Sequence, residues 1–219
     1  PLTGAAVLAR AKQLSAEAAK ALGALAAVGG SASDSLLGAL FGEQRSPRAC
    51  AELAAAGLVE RRSGSVWALA HAEIRDDLAG ALATVELVDA VASVALGSRA
   101  PLGPAQLLSL ARSPAPPSTR AELLTLAAER ARATGLRALE AEALLDLAAD
   151  PATRTPEVLT ALDRSTRGGG SAGLHPELIE WLEACPPLGV LAQRRRAEQT
   201  ARSGDHARAA ELAERALAL

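Results

Sequence analysis

Three observations predict a mainly α-helical fold. Alanine makes up about a quarter of the 219 residues and leucine about a sixth, and these are among the strongest helix formers. Tyrosine and methionine are absent, phenylalanine occurs once and tryptophan twice, so the aromatic side chains on which β-sheets lean are scarce. Apolar residues recur with helical period and are punctuated by glycine and proline stops along most of the chain. Together these argue against a β-sandwich or barrel. With 49% hydrophobic residues and a mean hydropathy of +0.15, the chain carries enough apolar surface for a sizeable core, which rules out disorder for most of its length. The length fits one or two domains, or one short helical array.

The first 83 residues organise as follows. Ala16 to Val28 reads as a helix carrying Leu22, Leu25, Ala26 and Val28 on its apolar side, stopped by Gly29-Gly30. Ser33 or Asp34 caps a short second helix through Phe41, which Gly42 ends. Ser46-Pro47 is read as an N-cap followed by proline at the first helical position; this third helix runs to about Ala56 and Gly57 closes it. The period then changes. Leu58 to Arg62 is a short strand, Ser63-Gly64-Ser65 a tight turn, and Val66 to Ala70 the returning strand. From His71 a helical pattern resumes, with Ile74, Leu78 and Leu82 four residues apart. Three helices, a β-hairpin and a closing helix are the order of a winged helix-turn-helix.

Beyond Ala83 the pattern is helical throughout. Thr84 to Leu96 and Pro104 to Arg112 are two helices separated by a break at Gly97 to Gly103. Ser113-Pro-Ala-Pro-Pro117 is a stiff linker and the expected main boundary. Residues 84–117 are thus connecting helices and linker, and residues 118–219 a third region. Thr119-Arg-Ala-Glu122 is a capping-box pattern opening a helix to Thr134; Gly135 turns the chain into a partner helix, Leu136 to Ala149. Asp150-Pro151 stops that helix. Thr155-Pro156 starts the next, through Arg164, followed by a loop at Gly168 to Gly173. Glu177 to Ala184, a Pro186-Pro187 break, Leu188 to Ser203, and His206 to Leu219 complete the chain. The turn glycines Gly135, Gly169 and Gly204 recur at the roughly 34-residue period of tetratricopeptide (TPR) helical hairpins. The last copy fits best: small and apolar Ala209, Ala213, Ala216, Leu217 and Leu219 on its second helix are expected to let paired helices approach closely. The predicted fold is therefore a winged helix with a small hairpin (1–83), followed by TPR-like antiparallel helical hairpins. Ordinary hairpins of similar length are the plainer alternative.

Composition bounds function as well. The formal charge is −2, with Lys+Arg 23 against Asp+Glu 25, which opposes bulk attraction to nucleic acid or anionic membrane. The cations are arginine except at Lys12 and Lys20, a bias typical of GC-rich bacterial coding. Cys50 and Cys185 form no zinc-type spacing with each other or with His71, His175 and His206; both are expected to be buried, reduced thiols. No apolar run reaches the roughly 18 residues of a membrane span, and no secretory leader is legible. The chain begins at Pro1 and lacks methionine, and is expected to be part of a longer polypeptide. It has no Gly-rich phosphate loop ending in Gly-Lys-Ser/Thr. Gly168 to Gly173 follows no strand and carries no lysine, so it reads as an inter-helix loop. No Ser/His/Asp or Cys/His set stands out. No catalytic residue, metal ligand or cofactor of its own is assigned to this chain.

Candidate contacts remain. As a recognition helix, residues 46–56 offer Arg48 and little else for base readout, with Glu52 one turn later set against any phosphate. The hairpin adds Arg61 and Arg62. Arg194, Arg195 and Arg196 form a basic run, read either as a solvated face or as a contact for an acidic partner segment.

The stretch Val66-Trp-Ala-Leu-Ala-His71-Ala-Glu-Ile-Arg-Asp-Asp-Leu-Ala-Gly-Ala-Leu82 resembles the end of the winged-helix domain of STAND-class signalling ATPases, where a strand runs directly into a helix beginning with histidine. Leu22 to Gly30, Leu36 to Phe41 and Ala54 to Arg62 fit the same pattern, so the resemblance covers about residues 5 to 83 closely and the rest by architecture. Large bacterial ATPase-containing transcription activators belong to this class, as do NLR-type plant receptors with a Met-His-Asp motif. Departures are Leu69 and Ala79 at places often aromatic, and Ala72 where aspartate can follow the histidine. The resemblance implies that His71 reaches the β-phosphate of ADP bound by the nucleotide-binding domain of a parent protein, with ADP or ATP as that protein's ligand. A strand-to-helix junction suits this, since exposed N–H groups favour an anion and an imidazole N–H adds a donor.

The resulting expectation is a non-catalytic, cytoplasmic regulatory region of a bacterial STAND-type ATPase. Its winged helix stabilises the ADP-bound resting state, and its helical repeats bind a protein or peptide partner or mediate assembly. The alternatives are a winged-helix DNA-binding transcription regulator, separable by a salt-dependent DNA shift, and a stand-alone TPR-type scaffold.

Overall fold

The computed structural model describes residues 4–62, 64–97, 101–167 and 176–217. They form thirteen α-helices and one small sheet, and divide into two compact units, Pro1–Arg130 and Ala131–Leu219. Among the described residues no single helix is long and apolar enough to cross a membrane.

The first unit is built around α2 (Ala16–Ala27). Ser15 caps it by accepting from the Ala18 N–H, and eight of its residues, from Ala18 to Ala27, are buried. Such burial on nearly all sides marks a central helix, and α4, α5 and α6 pack on it. Its one glycine has a packing reason: a Cβ at Gly23 would lie 2.8 Å from the Leu82 carbonyl oxygen and 3.0 Å from Leu87 Cδ2. A preceding helix, α1 (Gly4–Ala11), was not legible as an element and packs against α5.

At Gly29 and Gly30 (φ 89° and 90°) the chain turns into β1, Ser31–Ser33, a strand absent from the sequence-based expectation. Ser33 then caps α3 (Asp34–Phe41) by accepting from Leu36 N–H. The next helix, α4 (Arg45–Ala55), starts earlier than expected. Gln44, not Ser46, is its N-cap, without a side-chain cap, because the turn at Gly42 already supplies the first carbonyl for the Arg45 and Ser46 N–H groups. Pro47 still sits in the first turn, where its missing N–H costs no internal bond. Ser46, Ala49, Cys50 and Leu53 form the buried face of α4. Strands β2 (Val59–Arg62) and β3 (Val66–Leu69) complete an antiparallel sheet of order β1-β3-β2, with Ala32 opposite Trp67 and Arg61 opposite the same residue on the other side.

After β3 the chain makes a 3₁₀ turn, Ala72–Ile74, before α5 (Arg75–Leu82), so His71 itself is extended (φ −131°) rather than helical. Helices α6 (Val85–Leu96) and α7 (Pro104–Arg112) follow, α6 packing on α2 and α3. Gln106 of α7 donates to the Ser31 carbonyl (2.8 Å), tying α7 to β1. Helix α8 (Pro117–Ala133) begins at the proline instead of after a Thr119 cap; Thr119 lies inside its first turn and donates to Asp89.

The second unit consists of α9 (Arg137–Ala149), α10 (Pro156–Thr166), α11 (Pro176–Glu183), a 3₁₀ turn at Pro186–Leu188, α12 (Gly189–Arg202) and α13 (His206–Leu217). Consecutive helices pack on one another, α9 with α10, α10 with α11, α11 with α12 and α12 with α13. Gly135 and Gly204 (φ 73° and 93°) occupy turns where a side chain would be strained. Gly169 and the loop Gly168 to Gly173 lie outside the described residues.

Of the two thiols, Cys50 is buried, whereas Cys185 is only partly buried, at the start of the 3₁₀ turn. Burial first, and then the Asp34 carboxylate, push the Cys50 thiol from 9.0 to about 11. At pH 8 its thiolate fraction is on the order of one in a thousand, and the thiolate is the reacting form. Iodoacetamide at pH 8 should therefore add one equivalent to the native chain, at Cys185, and two after denaturation. Two equivalents on the native protein would contradict the burial of Cys50.

Candidate functional site

The hairpin cations are anchored, not free. Asp34, first residue of α3, accepts from Arg61 Nη2 (2.9 Å) with one carboxylate oxygen and from Trp67 Nε1 (2.8 Å) with the other. The Arg61 guanidinium lies 5.4 Å from the Trp67 ring centroid, a cation–π distance. One carboxylate thus pins β2 and β3 to the start of α3. Arg62 pairs with Glu60 (3.1 Å) on its own strand. On α4, Arg45 pairs with Glu17 (3.2 Å). Glu52 turns toward α2, accepting from the Ser15 N–H (2.6 Å) and hydroxyl (2.7 Å), which hold its carboxyl below the ordinary value. Arg48 is exposed and has no ion pair among the described residues.

His71 sits where β3 gives way to the 3₁₀ turn. Its side chain is 33% exposed, its Nδ1 lies 3.6 Å from Glu73 Oε1, and it makes no capping hydrogen bond to the turn that follows. The imidazole therefore flanks an open junction. Glu73, Asp76 and Asp77 lie in the first turns that follow it, and Arg75 among them pairs with Asp76 (2.7 Å).

The basic run on α12 divides three ways, and one of its members is a correction. Arg195 is neither a solvated residue nor a partner contact: it is 1% exposed. Its guanidinium donates to the Asp163 carboxylate and carbonyl, to Thr166 Oγ1 (2.8 Å) and to Glu198 (3.1 Å). Asp163, 2% exposed, also accepts from Arg167 of the same turn. Buried charge of this kind persists only when paired and hydrogen-bonded, so Arg195 locks α12 to α10. Arg194 is exposed beside Glu198, and Arg196 pairs with Glu183 of α11 (2.6 Å).

Arg196 also borders a recess of about 410 Å³ between α11, α12 and α13, lined besides by Glu183, Gln193, Arg208, Leu212 and Arg215. Sequence reasoning missed Arg208 and Arg215. Their seven-residue spacing, two helical turns on one face, is the signal that could have found them. A smaller recess of about 280 Å³ is lined by Arg132, Arg137, Glu140 and Arg164, and one of about 420 Å³ in the first unit is lined by Leu40, Phe41 and Leu87 together with charged Glu17, Lys20, Arg45 and Glu86. Among the described residues there is no cluster of three or more His, Cys, Asp or Glu able to hold a metal ion.

No family model, curated protein or solved structure gives a significant match to this chain.

Proposed function

We propose that this chain is the regulatory and protein-interaction region of a STAND-type signalling ATPase of the cytoplasm, non-catalytic in itself. In this reading residues 1–83 are a winged-helix domain that stabilises the ADP-bound resting state, and residues 118–219 are TPR-like hairpins that engage a protein partner. The order helix, strand, helix, helix, strand, strand and the strand order β1-β3-β2 support the winged-helix assignment. Packing of α12 on α13 across the glycine turn at Gly204, and of α9 on α10, supports the repeat assignment.

The observation that carries the reading is the placement of His71. A residue at the mouth of a strand-to-helix junction, partly exposed and uncommitted to capping, has an N–H available for a ligand held by another domain. The reading requires a Gly-rich phosphate loop in the same polypeptide, and a coding sequence without one contradicts it.

A DNA-reading role finds little support. Three of the four cations on α4 and the hairpin are paired with carboxylates, leaving Arg48. Few counterions would be released on binding a duplex. In a mobility-shift assay at about 150 mM salt, the chain should leave duplex DNA unshifted up to micromolar protein. A nanomolar complex abolished by Arg48→Ala would favour the transcription-regulator alternative instead.

A further inference from the structure

We infer that the arginine-lined recess between α11, α12 and α13 is a docking site for an acidic peptide segment of a protein partner. This deepens the proposed partner-binding role of the helical unit by naming the site and the chemistry of what it takes. Arg196, Arg208 and Arg215 present three guanidinium groups to one volume of about 410 Å³, within the usual range of ligand sites. Two of these are already drawn to carboxylates, Arg196 to Glu183 (2.6 Å) and Arg208 to Glu211 (2.7 Å). Arg215 has no ion pair among the described residues.

A second, independent observation comes from Gln193. It lines the same recess, yet its Oε1 is buried and accepts no hydrogen bond from any described residue. A buried polar atom without a partner calls for an explanation. The unpartnered acceptor asks for a ligand that carries an N–H, and the guanidinium groups of the same recess ask for one that is anionic. A peptide rich in Asp or Glu supplies both, with carboxylates for the guanidinium groups and a backbone N–H for Gln193. The broad terminal torsion of glutamine lets the amide swing to meet it. Ala192 and Leu212 in the lining receive the peptide's methylenes.

The test uses the whole chain and a fluorescein-labelled peptide of sequence Glu-Glu-Leu-Glu-Glu-Leu, followed by fluorescence polarisation at about 150 mM salt. Saturable binding is expected. Arg208→Ala and Arg215→Ala should each weaken it about fivefold to tenfold, as loss of a charge-assisted contact does. Gln193→Leu should weaken it about fivefold while leaving the melting temperature equal or higher, since it removes an unpartnered polar atom. Arg48→Ala should change nothing. The proposal is overturned by absent binding, by binding insensitive to Arg215→Ala and Gln193→Leu, or by equal affinity for a labelled single-stranded oligonucleotide, which would show unspecific attraction of charge. Failure here leaves the ADP measurement on His71 untouched, and failure there leaves this site standing.

Discussion

Arg195→Ala is expected to destabilise the helical unit by about 3 kcal/mol, the lower end of the cost of breaking a buried ion pair. The loss strands the Asp163 carboxylate inside the unit and removes four hydrogen bonds linking α12 to α10 and to Glu198. The effect stays at the lower end because Arg167 continues to pair with Asp163. Hydrogen exchange in the intact chain should show faster exchange in α10 and α12 with α2 to α4 unchanged. Replacing both partners, Arg195→Met with Asp163→Leu, should recover most of the loss, since an apolar pair needs no desolvated charge and Arg167 is exposed enough to reach water. An Arg195→Ala profile identical to that of the unsubstituted chain would show that the buried pair does not hold these helices together.

Gly23→Ala should lower the melting temperature of the first unit, whereas Gly38→Ala should raise it. Alanine is the better helix former by about 0.8–1 kcal/mol at either position, so the contrast isolates packing. At Gly23 the added Cβ meets the Leu82 carbonyl at 2.8 Å, and backbone cannot move aside as a side-chain tip can. Overpacking of this kind costs roughly 1–3 kcal/mol or more, which outweighs the propensity gain at all but the low end. At Gly38 in α3 a Cβ meets nothing within 4 Å, so the propensity gain stands. Melting curves for the two variants check both signs. Stabilisation by Gly23→Ala would mean that α2 does not approach the end of α5 so closely.

How much of this was legible in the sequence depends on whether the cause was local. Helices α2, α3 and α4 were legible because glycines end them, with Gly42 and Gly57 in left-handed conformations that other residues avoid. The β2–β3 hairpin was legible from its change of period. Strand β1 was not: three residues, two of them serine, become a strand only by pairing with β3 more than thirty residues away. The start of α4 was misplaced because the Gly42 carbonyl, rather than a side chain, caps it. Three consecutive arginines on a helix point about 100° apart and span about 200°, so they need not share one environment. Burial of Leu188, Ala192 and Arg195 follows one helical face, which makes Arg195 the inward one. Its partner Asp163, 32 residues earlier, had no local signal at all. The same holds for Asp34, whose two bonds to Arg61 and Trp67 follow from sheet register. His71 was expected to open a helix; it lies two residues past β3 in extended backbone, because the 3₁₀ turn after it was invisible to a search for helical period.

The most direct test of the proposed role is the rate of ADP release from the full-length ATPase carrying His71→Ala. An imidazole donating to a phosphate makes a hydrogen bond to a charged group worth roughly 1.5–3 kcal/mol. Because that bond exists only in the closed, ADP-bound state, its loss shifts the equilibrium toward the open form by about tenfold to over a hundredfold. ADP should leave correspondingly faster, while the melting temperature of the 219-residue chain stays unchanged, since a side chain one-third exposed holds no core. An unaltered ADP release rate together with a lowered melting temperature would contradict the account and make His71 a local structural residue.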